Sequence, residues 1–248
     1  MNLRTLVAAG IVAASLATPP AAGHTAGEAI QTTAQLEREV AEALDDERDL
    51  RRLEVSILGS EATVSGHVPH LFAKNLAIEL ALAVDGVDTV FSDIELPEPE
   101  SDEDISEQVV RVVSRYSHYT IWDNIDGRVN QGVVTLFGSV TPDRDKKGDL
   151  YEDITKIEGV QEYIDNIEVQ SPSSEDQRLR GIIRGSLARS DNFERLVGMR
   201  NPPFRIVVDR GVVTLVGYAQ SQIDYREMER IVVQIQGVLR VNNQLVVP

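Results

Sequence analysis

The chain has 248 residues, 40 of them acidic and 24 basic for a formal charge of −16, with 42% hydrophobic but only 5% aromatic side chains. Its length allows one large domain or two to three small ones, and any core must be aliphatic. With no cysteine, disulfides, thiolate metal sites, cysteine nucleophiles and a cysteine-linked lipid are excluded. The acidity argues against a nucleic-acid coat.

Met1-Asn2-Leu3-Arg4 opens the chain with one positive side chain, and residues 5–17 form an uncharged, largely apolar run of 13. Thr18-Pro19-Pro20 then break a helix, and Ala21-Ala22-Gly23 are small. This is the order of parts in a secretory signal, and the run is shorter than the roughly 20 residues that span a bilayer. Residues 1–23 are expected to be a signal peptide, cleaved after Ala17, Ala22 or Gly23. The mature chain is then a soluble exported protein, periplasmic in a Gram-negative cell. Residues 24–33 read as a loose leader.

Beyond the leader the sequence repeats. The segments EATVSGHV, GVVTLFGSV and GVVTLVGYA are β-branched strands with a glycine near the end, at Gly66, Gly138 and Gly217. A second glycine follows 20, 21 and 20 residues later, at Gly86, Gly159 and Gly237, each followed by valine. Between the two glycines the apolar spacing becomes helical, at Ala77/Ala81/Val84, Leu150/Ile154/Ile157 and Met228/Val232/Ile235, with the second glycine read as the left-handed helix stop. The alternating pairs Ile94/Leu96, Ile167/Val169 and Leu245/Val247 predict a further half-buried strand. Upstream, the stripes Leu36/Val40/Ala43/Leu44, Ile105/Val109/Val112/Val113 and Leu179/Ile183/Ser186/Leu187 predict a leading helix.

The fold class is therefore α+β: three tandem αββαβ two-layer sandwiches, each a three-stranded sheet with two helices on one face. Hairpins are predicted at Gln131-Gly132 and Arg210-Gly211, and Gly59-Ser60 marks the turn of the first copy. The strand-end glycine is read either as a site of close backbone or helix approach or as a plain turn. The domains are 34–96, 104–170 and 175–248, separated by an acidic, Pro-rich linker at 97–103 and a Ser/Pro linker at 171–174.

The pattern resembles the BON domain, through VVTLFGSV with IEGVQEYIDNIEV in the second copy and VVTLVGYA with IQGVLRVNNQLVV in the third. ATVSGHV with VDGVDTVFSDIEL makes the first copy the weakest of the three matches. The resemblance covers nearly all of the chain after residue 34. It implies an αββαβ fold, no catalysis and association with phospholipid or envelope surfaces, as in osmotically inducible periplasmic proteins. No fixed catalytic set accompanies the family, so none is carried over.

Enzymatic readings find no support in the residues. None of His24, His67, His70 and His118 sits in a paired-ligand helix, and a metal site needs three or four ligands. There is no nucleophile elbow, P-loop or dinucleotide fingerprint. Residues 143–149 resemble a calcium loop, but Lys147 takes a ligand position and Ile154 stands where a bidentate Glu is needed. No cofactor, metal or catalytic residue is expected.

Charge is polarised along the chain. Residues 24–103 hold 19 acids against 5 bases (−14), residues 104–174 hold 13 against 7 (−6), and residues 175–248 hold 8 against 11 (+3). The third copy is also the longest, through an insertion at 190–205 that mixes Arg195, Arg200 and Arg205 with Phe193, Met199 and Phe204. Apolar side chains among arginines suit a membrane interface or a partner's groove, or they fold back on their own core. The second copy has Tyr116, His118, Tyr119 and Trp122 at the same place. These rings suit an interface or a satellite core, and Asp123 and Asp126 beside them weaken a lipid contact. Candidate binding residues are Arg180, Arg184, Arg195, Met199, Arg200, Phe204, Tyr119 and Trp122. The expected partner is an anionic phospholipid or envelope surface, and not nucleic acid. The alternative is a protein-interaction or chaperone-like module that binds envelope proteins or associates with itself.

Overall fold

The computed structural model describes residues 32–199 and 201–248. The expected signal peptide, almost all of the leader, and Arg200 lie outside the described residues. The first unit comprises α1 (Thr33–Asp45), β1 (Glu54–Leu58), β2 (Glu61–His67), α2 (Leu71–Leu82) and β3 (Thr89–Glu95). The second comprises α3 (Asp102–Arg115), β4 (Asn124–Asn130), β5 (Val133–Val140), α4 (Lys146–Thr155) and β6 (Glu162–Val169). The third comprises α5 (Ser174–Leu187), a short α6 (Glu194–Val197), β7 (Phe204–Asp209), β8 (Val212–Tyr218), α7 (Gln222–Val233) and β9 (Arg240–Val246).

Each sheet places its middle strand between an antiparallel hairpin partner and a parallel third strand. A parallel neighbour demands a crossover, and α2, α4 and α7 supply it. The helical stripes fill the cores: Leu36, Val40 and Leu44 in the first unit, Ile105 and Val109 in the second, and Leu179, Ile183 and Leu187 in the third are buried. They meet inward-facing strand residues such as Val64, Leu136 and Leu215. Among the described residues no helix is long and apolar enough to cross a membrane.

Both X-Gly hairpins are present. Gln131 and Gly132 have φ of 51° and 75°, and Arg210 and Gly211 have 48° and 74°, which is the left-handed pair that matches strand twist. The first unit pairs in plain antiparallel register from Glu54↔Ser65 to Leu58↔Glu61. The strand-end glycines mark close backbone approach. Gly138 and Gly217 have φ of 118° and 104°, and a Cβ on either would strike a carbonyl oxygen, that of Asn124 or of Pro203. Gly66 is less crowded, a Cβ there standing 3.2 Å from Leu53 Cδ2 and 3.3 Å from the Arg52 carbonyl, but its φ of 127° still disfavours a side chain.

The second glycines differ from their expected role. The helices end at Leu82, Thr155 and Val233, and their caps Ala83, Lys156 and Gln234 stay right-handed. Gly86, Gly159 and Gly237, at φ of 101°, 81° and 101°, instead turn the chain into the third strand. The linkers are also shorter than composition implied. Ser101 already caps α3 through the Asp104 amide, and Ser173 caps α5 through Glu175 and Asp176.

The three units are joined end to end by packed side chains. At the first joint Leu71 is buried in the core of the second unit, and Leu96 touches both cores. Phe72 stands 6.3 Å from the Tyr151 ring with Lys156 Nζ over its face at 4.7 Å. Asn75 donates to the Tyr151 hydroxyl at 2.7 Å, and Gln161 donates to the Pro97 carbonyl at 2.8 Å. At the second joint Ile121 is buried in the core of the third unit, with Trp122 packed against it. The Ile206 amide donates to the Ile121 carbonyl at 2.8 Å.

Candidate functional site: two recesses beside the second joint

The second joint is organised by a buried ion pair. Lys146, at the start of α4, is 1% exposed, and Asp123, just before β4, is 0% exposed. Lys146 Nζ lies 2.9 Å and 3.0 Å from the two carboxylate oxygens and 2.6 Å from Thr141 Oγ1. Asp123 also accepts from the amides of Thr120 and Thr141, both at 2.8 Å. A charge removed from water persists only when paired and fully hydrogen-bonded. The negative charge counted against a lipid contact at Asp123 is thus neutralised inside the protein. The network fixes the loop that carries Tyr119, Ile121 and Trp122.

On one side of the joint, Trp122, Arg180 and Arg184 line a cleft of about 680 Å³ together with Thr120, Asp143, Ser173, Gln177 and Gly181. Three of the predicted binding residues therefore come together. Arg180 is not a surface arginine, however. It is 5% exposed, and its Nη2 donates to the Gln170 side chain at 2.9 Å and the Val208 carbonyl at 2.7 Å. Gln170 in turn donates to the Trp122 carbonyl at 2.7 Å. Burial pulls the Arg180 pKa down, opposed by the charges of Asp176, Asp123, Asp143 and Asp209. Arg180 is a strut of the joint, and only Arg184 offers an exposed guanidinium.

On another side, Val109, Val113, Tyr119, Ile125, Val129 and Leu136 line a largely apolar groove of about 350 Å³ along α3, which Asp126 also borders with an exposed carboxylate. Gly127 leaves it room, since a Cβ there would stand 3.0 Å from Leu136 Cδ2. Arg205 and Asn201 of the third unit close one part of the rim. The Arg205 guanidinium lies 4.8 Å above the Tyr119 ring, a cation–π geometry, and its Nε donates to the Tyr119 hydroxyl at 3.3 Å. Val110, on the same helix, is 66% exposed.

The other predicted residues fall elsewhere. Phe204 is 1% exposed, its ring edge-on to Phe193 at 6.2 Å. Strand alternation sends Phe204, Ile206 and Val208 inward together, so Phe204 is core and cannot contact a surface. Arg195 and Met199 are exposed but line neither recess. Tyr119 and Trp122 are half-buried and serve the joint first. Arg205, on the rim of the groove, was not among the candidate residues expected from sequence. Its signal was its place on an outward-facing strand position, one residue after Phe204.

Among the described residues no group of three His, Asp or Glu stands close enough to hold a metal ion. The BON domain family matches residues 32–98 and 175–248. The first unit, expected to be the weakest of the three matches, is matched, whereas the second, expected to match well, lies outside, although its topology is the same. No curated protein matches the chain. Solved structures do, among them CdsD, a structural protein of the type III secretion system of Chlamydia trachomatis, at 13% identity over 85% of this chain and 91% of that one, with a TM-score of 0.24. The C-terminal domain of the same protein matches at 12% identity over 85% and 97%, with a TM-score of 0.26. These scores carry no functional argument. The family matches span more than half of the chain and coincide with two of its αββαβ units, and the chain belongs to the BON domain family.

Proposed function

We propose that this is a non-enzymatic, exported envelope protein that attaches peripherally to anionic phospholipid surfaces under osmotic or envelope stress. The observation that carries the reading is the groove along α3, mostly apolar on its walls, with the Arg205 guanidinium and the Asp126 carboxylate both at its edge. Apolar surface beside a cation is the chemistry of a membrane interface. Arg184, which borders the other recess, and the net positive charge of the third unit add a diffuse positive field to that part of the chain.

Flotation of the mature chain with phosphatidylcholine vesicles, with and without phosphatidylglycerol, tests the proposal. Binding is expected only to the anionic vesicles and is expected to fall steeply with salt, because exposed charges are screened within about 10 Å at 0.1 M. Arg205→Glu and Val110→Asp should each weaken it about tenfold or more, a difference of roughly 1.4 kcal/mol. Absence of binding to either vesicle at low salt overturns the lipid reading. Capture of unfolded envelope proteins in that case favours the protein-interaction reading instead.

A further inference from the structure

The three units can be compared position by position, because their strands pair in one register. Two residues before the strand-end glycine stand Val64, Leu136 and Leu215, all fully buried, and their hairpin partners are Val55, Gly127 and Ile206. The first and third units thus place a β-branched side chain on the inner face of the edge strand. Ile206 is buried, and Val55 packs on the core of its unit. The second unit has no side chain at this position.

The helix facing that strand shows a matching omission. The residue after the first helix anchor is Arg180 in the third unit, and its Nη2 reaches the edge-strand carbonyl of Val208 at 2.7 Å. In the first unit it is Glu37, where Val55 already fills the seam. In the second unit it is Ser106, which lines the groove with a side chain too short to cross it. The seam between α3 and β4 is therefore open, and the core residues Val109 and Leu136 are part of its lining. The gap left at Gly127 has the width of one aliphatic chain. The groove that includes it holds about 350 Å³, at the small end of the range for ligand pockets.

The rim supplies a cation. Arg205 is held over Tyr119 and bonds the Tyr119 hydroxyl through Nε and the Pro202 and Phe204 carbonyls through Nη1. Among the described residues its Nη2 has no acceptor. Strand alternation turns Asp126 to the face opposite Gly127, and its Oδ1 accepts the Gly127 amide at 2.8 Å. With that carboxylate nearby, the rim suits a head of one negative charge.

We infer that the second unit binds a fatty-acid anion, its alkyl chain in the seam at Gly127 and its carboxylate on Arg205. The inference rests on the groove that carries the lipid-surface reading, but its ligand is a free monomer. The seam admits one chain, whereas a bilayer phospholipid brings two.

Calorimetric titration of the mature chain with dodecanoate, kept below micelle formation, tests this. Saturable binding of one equivalent is expected, with NMR contacts from the chain methylenes to the Val109 and Leu136 methyls. Dodecyltrimethylammonium has the same chain and the opposite head charge, and should bind at least about tenfold more weakly. Gly127→Val restores the side chain that the first unit carries and should weaken dodecanoate binding at least about tenfold. If thermal unfolding shows that this variant does not fold, Ser106→Trp narrows the same seam from the helix and should give the same loss. The inference is overturned by absence of saturable binding in wild type, by contacts confined to other residues, by equal binding of the cationic chain, or by undiminished binding in a folded variant. Vesicle flotation keeps the two readings apart. Flotation without dodecanoate binding removes only this one, and dodecanoate binding without flotation removes only the other.

Discussion

Asp176 and Gly211 are bound across 35 residues: the buried carboxylate accepts the Gly211 amide at 2.8 Å through one oxygen and the Arg210 amide at 2.8 Å through the other. The leading helix thereby clasps the hairpin turn of its own unit. The second unit repeats the clasp, with Asp102 accepting from Gln131 at 2.9 Å and Gly132 at 3.0 Å. Both acids stand three residues before their helix anchors, Leu179 and Ile105, and the first unit has Thr33 there. Both amides belong to residues with positive φ, so the clasp holds the turn as well as the helix.

Asp176→Ala should destabilise the third unit by about 2–3 kcal/mol, because it strips two turn amides of their acceptor where water enters poorly. Asp102→Ala at the more open equivalent should cost less, because water can replace the lost acceptor there. Urea unfolding of the two variants checks the ranking.

Lys146→Met leaves Asp123 buried without its counter-charge, and a loss of about 3–5 kcal/mol is expected. The loop held by Asp123 carries Ile121, so the Ile206 amide should lose hydrogen-exchange protection before the cores of the outer units do. Equal protection of that amide in wild type and variant would contradict the assignment of Lys146 as the pin of the second joint.

His70 caps α2, its Nδ1 accepting the Ala73 amide at 3.1 Å. Burial holds its pKa below the usual value of 6.5, outweighing the opposing pull of Asp49. As pH falls below 6.5 the unfolded chain takes up a proton that the folded ring resists. The stability from the neutral ring is complete above that pH and is lost as pH drops through the folded value. His70→Asn keeps a capping acceptor without titrating and should flatten this part of the stability–pH profile. His70→Ala should lose about 1 kcal/mol at pH 8.

Two glycines should respond oppositely to alanine. Gly217→Ala forces a side chain onto φ of 104° and into the Pro203 carbonyl, at a cost of about 2 kcal/mol or more. Gly181, inside α5 with open space around its Cα, should gain about 0.5–1 kcal/mol as alanine. Thermal unfolding of both variants in one buffer decides it.

How far this was legible in sequence follows from the range of each interaction. Helical stripes, strand alternation and X-Gly turns are local, and they placed Leu179, Ile183, Gly211 and Gly217 correctly. The fate of Arg180 depends on Gln170 and on the Val208 carbonyl, 28 residues away, so nothing near it in the chain marks it as buried. Phe204 was readable in principle, because it starts the same inward register as Ile206 and Val208. The clasping acids were visible too, as a repeated offset from the helix anchors. The groove along α3 was not, since it needs Arg205 from a neighbouring unit to complete its rim.

The seating of Leu71 in the core of the next unit makes these modules poor candidates for transplantation. Cut free, the first unit bares a leucine that no water-facing site tolerates well, while the second is left with a hole in its interior. Deletion of the first unit would disturb the second as well. A designer borrowing one module alone must therefore recompose its exit surface in polar residues before anything else.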